Sequence, residues 1–501
     1  MSFYGLEGDL STGKQVLPAH GAMQAPVDLF VSPRLPLSSA EIDGLIRVAS
    51  LEDVVQVVGL PDLHIKPQLE TPSSTTTGTR NSIILSLSSP SPGCGMALAL
   101  TPLGVADLDP SRLDAFFNFL VRRLPFQFEN QAVLEEIFLM LLARGAAAAV
   151  EHFGLDAHLL RAVEDGGNAA SRASPCLIGS ALEPGSLSEV IPTGLLPLAG
   201  REFGTLGRGN HFLELQVVED VLDAQTAARW GVEVGQVAVM YHADSGRLGA
   251  LVGRLYAHRR KNHWRGRWIE LCHKVAFHWS QARSANDFYN RLGSYFLPYR
   301  YCPLPDSSDE AAWALRAHVA AINYAFANRI AIFAALQNAL RSIWGETAGR
   351  PTLLYDVTHN SIRREQAGSE MLWVHRHNAS RALPGGHPDL AESRYAETGS
   401  PVLLPGTNRT SSYLCVARAG VAGSLFSVDH GAGRSAQRLA SDSPDSARFT
   451  RHYGSCGGLV TTLRHQTDDG IEEILSVLAQ AELASPVARL RPLAVLKSVA
   501  K

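Results

Sequence analysis

Charge of one sign is what this 501-residue chain most lacks: 45 lysines and arginines stand against 48 aspartates and glutamates, a formal net charge of −3. Without a strong basic excess, overall electrostatics do not force a nucleic-acid partner, although a local basic patch is compatible with a near-neutral total. Cysteine is scarce, with six residues at 94, 176, 272, 302, 415 and 456. So thin a scatter makes no disulfide framework and fits reduced thiols in a cytoplasmic protein. No uninterrupted apolar run reaches the roughly 18 residues of a membrane-spanning helix, so no membrane partner is expected. Residues 1–8 have neither the charged leader nor the apolar stretch of a secretory signal. Apolar content, at 46%, is ample for a packed core.

Residues 1–110 read as short strands and loops. Val54–Val58 and Ser82–Leu87 have strand character, and the polar segment Thr71–Thr79 reads as a mobile loop. Asp109-Pro110 opens a helix, because Asp is a good N-cap and Pro suits the first turn. Leu113, Phe116, Phe117, Leu120, Val121 and Leu124 then fall on one helical face. Helical character continues over 130–150. Strand character returns at 204–218, helices dominate 250–345, strands dominate 352–430, and a helix near 471–484 precedes a strand-like tail at Leu493–Leu496. Strands and helices are segregated rather than alternating, which predicts an α+β fold. No repeat or linker is visible. The expectation is therefore one large domain over 1–501, of interwoven β-sheets with a helical insertion at about 250–345.

Chemistry-bearing residues sit at strand ends or in glycine-flanked turns, where a rigid sheet can bring distant segments to one point. Cys94 lies in Ser91-Pro92-Gly93-Cys94-Gly95. His211, His242 and His359 each follow a short segment far downstream. A thiolate with dispersed imidazoles is the donor set of a soft-to-borderline transition metal. Taken alone, Cys94 reads more readily as a small buried hydrophobe than as a ligand, and single histidines as surface or core residues. His430 lies among small residues, Asp429-His430-Gly431-Ala432-Gly433-Arg434, a setting that admits close approach of a phosphate to an imidazole nucleophile. Together these residues point to metal-assisted phosphoryl chemistry. Separately, Arg254, Arg259, Arg260, Lys261, Arg265 and Arg267 interleave with Tyr256, Trp264 and Trp268. That stretch reads either as an RNA-binding surface or as a solvated helix face that packs two tryptophans.

The flanking patterns resemble the RtcB-type RNA ligases. Gly207–Glu214 matches a Gly-Gly-Gly-Asn-His-Phe-x-Glu pattern, His242–Gly249 approximates His-x-x-Ser followed by Gly-Leu-Gly, and His359-Asn360 with Glu365 matches a His-Asn pair followed by Glu. His375–Ala382 echoes His-Arg-Lys-Gly-Ala-Thr-Arg-Ala. Pro405-Gly406-Thr407 with Ser412-Tyr413 matches Pro-Gly-Ser and a later Ser-Tyr, Asp429–Arg434 matches Ser-His-Gly-Ala-Gly-Arg, and Pro492–Lys497 and Pro61–His64 match the terminal motifs. The likeness runs in one order from about residue 59 to 497. It implies an enzyme that joins RNA ends bearing a 3′-phosphate or 2′,3′-cyclic phosphate to 5′-hydroxyl ends, using GTP and one or two Mn²⁺. Implied metal ligands are Cys94, His242 and His359 for one ion, and Cys94 with His211 for a second. His430 is the implied nucleophile, forming a histidine–GMP adduct. Asn210, Glu214, Asn360, Thr407, Ser412, Arg434 and Lys497 match nucleotide-binding positions. A helper protein is compatible with the resemblance, and tRNA splicing and RNA repair are both open as the setting.

The chain departs from that pattern in places. An Asp expected three residues before the metal cysteine is Ser91, a poor ligand beside a carboxylate, and Asp62 or a water is the substitute the sequence offers. The Lys of His-Arg-Lys is His377, the Gly-Arg order at 246–247 is inverted, Asn408-Arg409 replaces a Met-Gly pair, an expected Tyr aligns with Ile471, and Ser498 replaces a terminal Gly. These changes leave room for two alternatives, a metal-dependent 2′,3′-cyclic phosphoesterase without ligation and a non-enzymatic RNA-binding paralogue.

Overall fold

The computed structural model describes residues 6–8, 10–66, 69–123, 131–171, 182–191, 196–207, 209–257, 267–296, 301–443, 448–454 and 457–497. Two mixed sheets and a helical layer make up the α+β architecture that the segregated pattern predicts. The larger sheet runs Thr352–Thr358, Gly95–Gly104, Gln236–Ala243, Phe212–Val221, Ala484–Lys497, Ser412–Ala417, Pro401–Leu404; Phe449–Gly454 joins it alongside Ala484–Lys497 and carries Leu459–Arg464. The smaller runs Lys14–Leu17, Val27–Phe30, Val54–His64, Ser73–Thr79, Glu370–His377, Asn360–Ala367.

Both faces of the larger sheet are covered, and strand periodicity decides which residues go where. Ala97, Ala99, Leu213, Leu215, Val237, Val239 and Tyr241 pack against the helices Pro110–Arg123, Gln131–Arg144 and Asp309–Trp344. The alternate residues Met96, Leu98, Leu100, Ala238 and Met240 form a second cluster with Leu354, Leu403 and Leu414. On Pro110–Arg123 the predicted face holds: Leu113, Phe116, Phe117 and Leu120 are buried, each worth about 1.5–3 kcal/mol relative to exposure. Asp109 Oδ1 accepts from the N–H groups of Ser111 and Arg112, as its N-cap reading requires. Leu124 lies outside the described residues.

The helix Asp309–Trp344 is apolar enough on average to cross a membrane, but its apolar window is completely buried within the protein, which makes it a core helix. Two local expectations are corrected. Thr71–Thr79 is no loop: Ser73–Thr79 is a buried strand between Val54–His64 and Glu370–His377, because β-branched threonines suit a pleated backbone however polar they look. Ser82–Leu87 is a two-residue strand followed by a 3₁₀ turn. A helix at Ser39–Ala49 also lies in the region read as strands and loops, opened by a capping box in which Ser38 and Glu41 satisfy each other's backbone N–H groups.

Candidate active site

Four neighbouring strands of the larger sheet deliver the thiol and three histidines to one rim. Gly95 pairs with Ala243 and with Thr358, and Phe212 pairs with His242. That register sets Cys94, immediately before its strand, beside His242 at the end of the next. His211 lies just before Phe212, and His359 just after Thr358. The His359 N–H donates to the Cys94 carbonyl (2.9 Å), which ties the two loops together.

The long core helix clamps this rim from below. Arg329, fully buried, pairs with Asp356 (2.6 Å) and donates to the carbonyls of Gly93 (2.8 Å) and Ala243 (3.3 Å). Asn328 Nδ2 donates to the carbonyls of Thr205 and Asp244, and its Oδ1 accepts from Gly204 N–H. Two adjacent side chains thus fix the loops that lead to Cys94, His211 and Asp244. Burial holds the Asp356 carboxyl at about 6 against the opposing pull of Arg329.

Cys94 Sγ lies 3.1 Å from His242 Nε2 and 3.4 Å from His211 Nε2, and all three side chains are buried. These are the separations of neighbouring donors on one coordination sphere with bonds of about 2.0–2.3 Å. The His359 ring centroid is 5.0 Å from that of His242, and His430 is 4.4 Å beyond His359. Burial, reinforced by the neighbouring imidazoles, holds His242 and His359 well below the usual histidine range, so both present neutral rings. The Nδ1 atoms of His359 and His430 are buried without a hydrogen-bond partner, the condition of donors awaiting a cation or substrate, whereas His211 turns its Nε2 to the Cys94 sulfur. The donor set therefore fits a divalent metal ion. Burial, with Lys66 and His64 nearby, lowers His430 to about 3 against a hydrogen bond to the Asn378 backbone. It is an unprotonated nitrogen base at neutral pH.

His430 and His242 open into a cavity of about 500 Å³ that also takes in Asn210, Glu214, Thr407, Ser412, Arg434 and Lys497. Glu214 is raised to about 8 by burial, against Gln216 and Lys497, and Gln216 donates both to Glu214 Oε1 (2.7 Å) and to Ser412 Oγ (3.1 Å). Asn360 is placed differently: it lines no part of this cavity, donates to the Ser91 carbonyl and accepts from Asn378 N–H. Ile471 is wholly buried in the core. Asp62 does reach the cavity, but its Oδ1 is taken by the N–H and hydroxyl of Ser435 (2.9 and 2.5 Å). His375 and Arg376 are framework, the latter forking onto Glu365. Arg259, Arg260, Lys261, Trp264 and Arg265, with Arg208 and Ser498, lie outside the described residues.

Sequence reasoning missed Lys66, which lines the cavity beside His64 and acts electrostatically on both Cys94 and His430. It missed Asp244 as well, which accepts a hydrogen bond from Ser91. The lysine had one signal available, its place two residues after Pro61-Asp62-Leu63-His64; the aspartate's relation to position 91 is visible only in three dimensions.

A rim of soft and borderline donors opening on a polar cavity with a neutral buried histidine is compatible with a metal site beside a substrate pocket. The family model for tRNA-splicing ligase RtcB matches residues 44–498, and the chain belongs to this family. It is 29% identical over 486 residues to the RNA-splicing ligase RtcB of Mycobacterium tuberculosis, covering 90% of this chain and 99% of that protein. It is similar also to the tRNA-splicing ligase RtcB of Archaeoglobus fulgidus, 26% identical over 509 residues with 95% of each covered. To that of Thermococcus kodakarensis it is 30% identical over 315 residues, with 59% of each covered.

Proposed function

We propose that this protein is a GTP- and Mn²⁺-dependent RNA ligase that joins 3′-phosphate or 2′,3′-cyclic phosphate ends to 5′-hydroxyl ends. The observation that carries the reading is the position of His430: one ring away from the Cys94–His211–His242–His359 cluster, and in the wall of the cavity with the residues that match nucleotide-binding positions. Cys94, His242 and His359 would hold one manganese ion, and Cys94 with His211 a second. When bound, the metal neutralises phosphate charge and orients the departing pyrophosphate.

His430 attacks the α-phosphorus of GTP; the N–P bond forms as the P–O bond to pyrophosphate breaks. Its low proton affinity keeps the nitrogen lone pair free at neutral pH. Glu214 or its neighbour Lys497 reads the guanine edge, and Arg434 brings positive charge to the triphosphate side. Asn210, Thr407 and Ser412 complete the polar lining around the nucleotide. A 3′-phosphate oxygen of the RNA then displaces the imidazole from phosphorus. The 5′-hydroxyl oxygen attacks the 3′-phosphorus, its proton passes to solvent, and GMP leaves. A cyclic end enters after water has opened it to the 3′-phosphate. Asn360 serves by bridging the Ser91 and Asn378 backbones, which positions the loops around Cys94 and His430.

The test is incubation with α-labelled GTP and Mn²⁺. Acid-labile label on the wild type, absent from His430→Ala, is expected, followed by sealing of RNA with defined ends. A protein that never takes the label but still opens a cyclic phosphate is a phosphoesterase; one that does neither is a binding protein.

A further inference from the structure

Asp244 follows the last residue of the strand Gln236–Ala243, two positions after His242. Its Oδ2 accepts from Ser91 Oγ at 2.7 Å and lies 3.8 Å from His211 Nε2. Its Oδ1 accepts from Gly246 N–H (2.9 Å), and its carbonyl accepts from Asn328 on the core helix (3.2 Å). The side chain is only 17% exposed. Gly207, with φ +80°, closes the loop over it: a Cβ there would stand 2.9 Å from His211 Nδ1 and 3.5 Å from Asp244 Oδ1. Gly246 N–H thus holds Oδ1 and Ser91 Oγ holds Oδ2, with Oδ2 facing the same imidazole nitrogen that contacts Cys94 Sγ.

A sulfur and imidazoles alone make a soft site, whereas manganese favours oxygen donors. Position 91, where the resemblance to the family leads one to expect an acidic ligand, carries a hydroxyl, and Asp62 is already engaged by Ser435. We infer that Asp244 is itself a metal ligand, its Oδ2 completing the second site with Cys94 Sγ and His211 Nε2, while Ser91 Oγ orients the carboxylate from behind. The carboxylate has moved from one loop of the site to another, and the residue left at the old position has become the hydrogen-bond donor that ligating carboxylates require.

This inference rests on the manganese-dependent reading above, and Mn²⁺ binding by the full chain tests it without recourse to activity. Titration followed by the electron paramagnetic resonance signal of free Mn²⁺, with calorimetry, is expected to show two equivalents in the wild type. Asp244→Asn keeps an oxygen to cap Gly246 N–H but loses the charge. It should retain one equivalent, weaken the second by more than the roughly 10- to 100-fold that loss of an outer-shell partner costs, and melt at the wild-type temperature when metal-free. Ser91→Asp in the Asp244→Asn background should recover the second equivalent. Two undiminished equivalents in Asp244→Asn, or loss of both, overturns the assignment while leaving the manganese reading intact. A single equivalent in the wild type also overturns it, and none at all sinks the manganese reading too. If Asp244→Asn does not fold, Ser91→Ala decides: a several-fold weaker second site supports the assignment, and an unchanged one refutes it.

Discussion

Glu214 gives the nucleotide reading its sharpest consequence, because its protonation and guanine recognition compete. The carboxyl lines the cavity with its ionisation raised to about 8 by burial. Guanine offers two donors, which a carboxylate accepts and a protonated acid does not. Below pH 8 the empty protein must therefore release a proton to bind GTP. The ionised fraction rises from about 3% at pH 6.5 to about three-quarters at pH 8.5, so apparent affinity should improve about 25-fold over that interval. His430, lowered to about 3, does not titrate in this window. Glu214→Gln should bind GTP about 10- to 150-fold more weakly at pH 8.5, the range for charge-assisted hydrogen bonds worth about 1.5–3 kcal/mol. Its binding should also lose the wild type's pH slope beyond that of the triphosphate itself. Stability moves oppositely. Between the usual 4.5 and about 8 the folded acid holds a proton that the unfolded chain has released, so stability falls as pH rises, by at most about 1.4 kcal/mol per pH unit. Glu214→Gln removes that fall. Equilibrium binding at three pH values, with urea unfolding of the metal-free proteins, measures both. Equal pH slopes for wild type and variant would refute the assignment of Glu214 to the guanine edge.

Two further substitutions probe the frame and the cavity. Arg329→Met leaves Asp356 buried without its partner and frees the Gly93 and Ala243 carbonyls. A loss of about 3–5 kcal/mol in chemical unfolding is expected, and a loss under 1 kcal/mol would show that the clamp is not structural. Lys66→Gln removes an ammonium from the cavity wall. It should raise the KM for GTP about tenfold, the equivalent of one charge-assisted contact of about 1.4 kcal/mol, with no loss of melting temperature; an unchanged KM would place Lys66 away from the phosphates.

The donors of the rim were legible because each carries a distinctive neighbourhood: His211 in Gly209-Asn210-His211-Phe212, His430 in His430-Gly431-Ala432-Gly433-Arg434. Those neighbourhoods are strand ends and turns, which leave a local trace in small residues. The α+β class was legible from segregated periodicity, and the start of Pro110–Arg123 from Asp109-Pro110. What the sequence concealed was relational. Thr75, Thr76 and Thr77 look like loop residues until two flanking strands bury them. Asn360 matches a nucleotide-binding pattern, yet its amide is spent on two backbones. Ser91 reads as a lost ligand until Asp244, 153 residues away, is found hydrogen-bonded to it. The helix Ser39–Ala49 is a different case, since Ser38 and Glu41 have the three-residue spacing of a capping box and so leave a local trace of its start.

The placement of the rim depends on register more than on any single contact. Cys94, His242, His211 and His359 enter from four strands, and slipping any one of them by a residue would turn its side chains to the opposite face. A sheet with one wet face tolerates such slips; this one has apolar clusters on both faces, Ala97, Ala99, Val237 and Val239 on one and Met96, Leu98, Ala238 and Met240 on the other. A one-residue slip of Gly95–Gly104 would exchange alanines for methionine and leucine beneath the core helix, overpacking one layer and hollowing the other, at a cost of several kcal/mol. The hydrophobic pattern of the strands therefore fixes the register, and the register brings sulfur and imidazole nitrogen within 3.4 Å of each other. Arg329 and Asn328 then need only hold the loop backbones, which hydrogen bonds to carbonyls accomplish without competing for the donor atoms themselves.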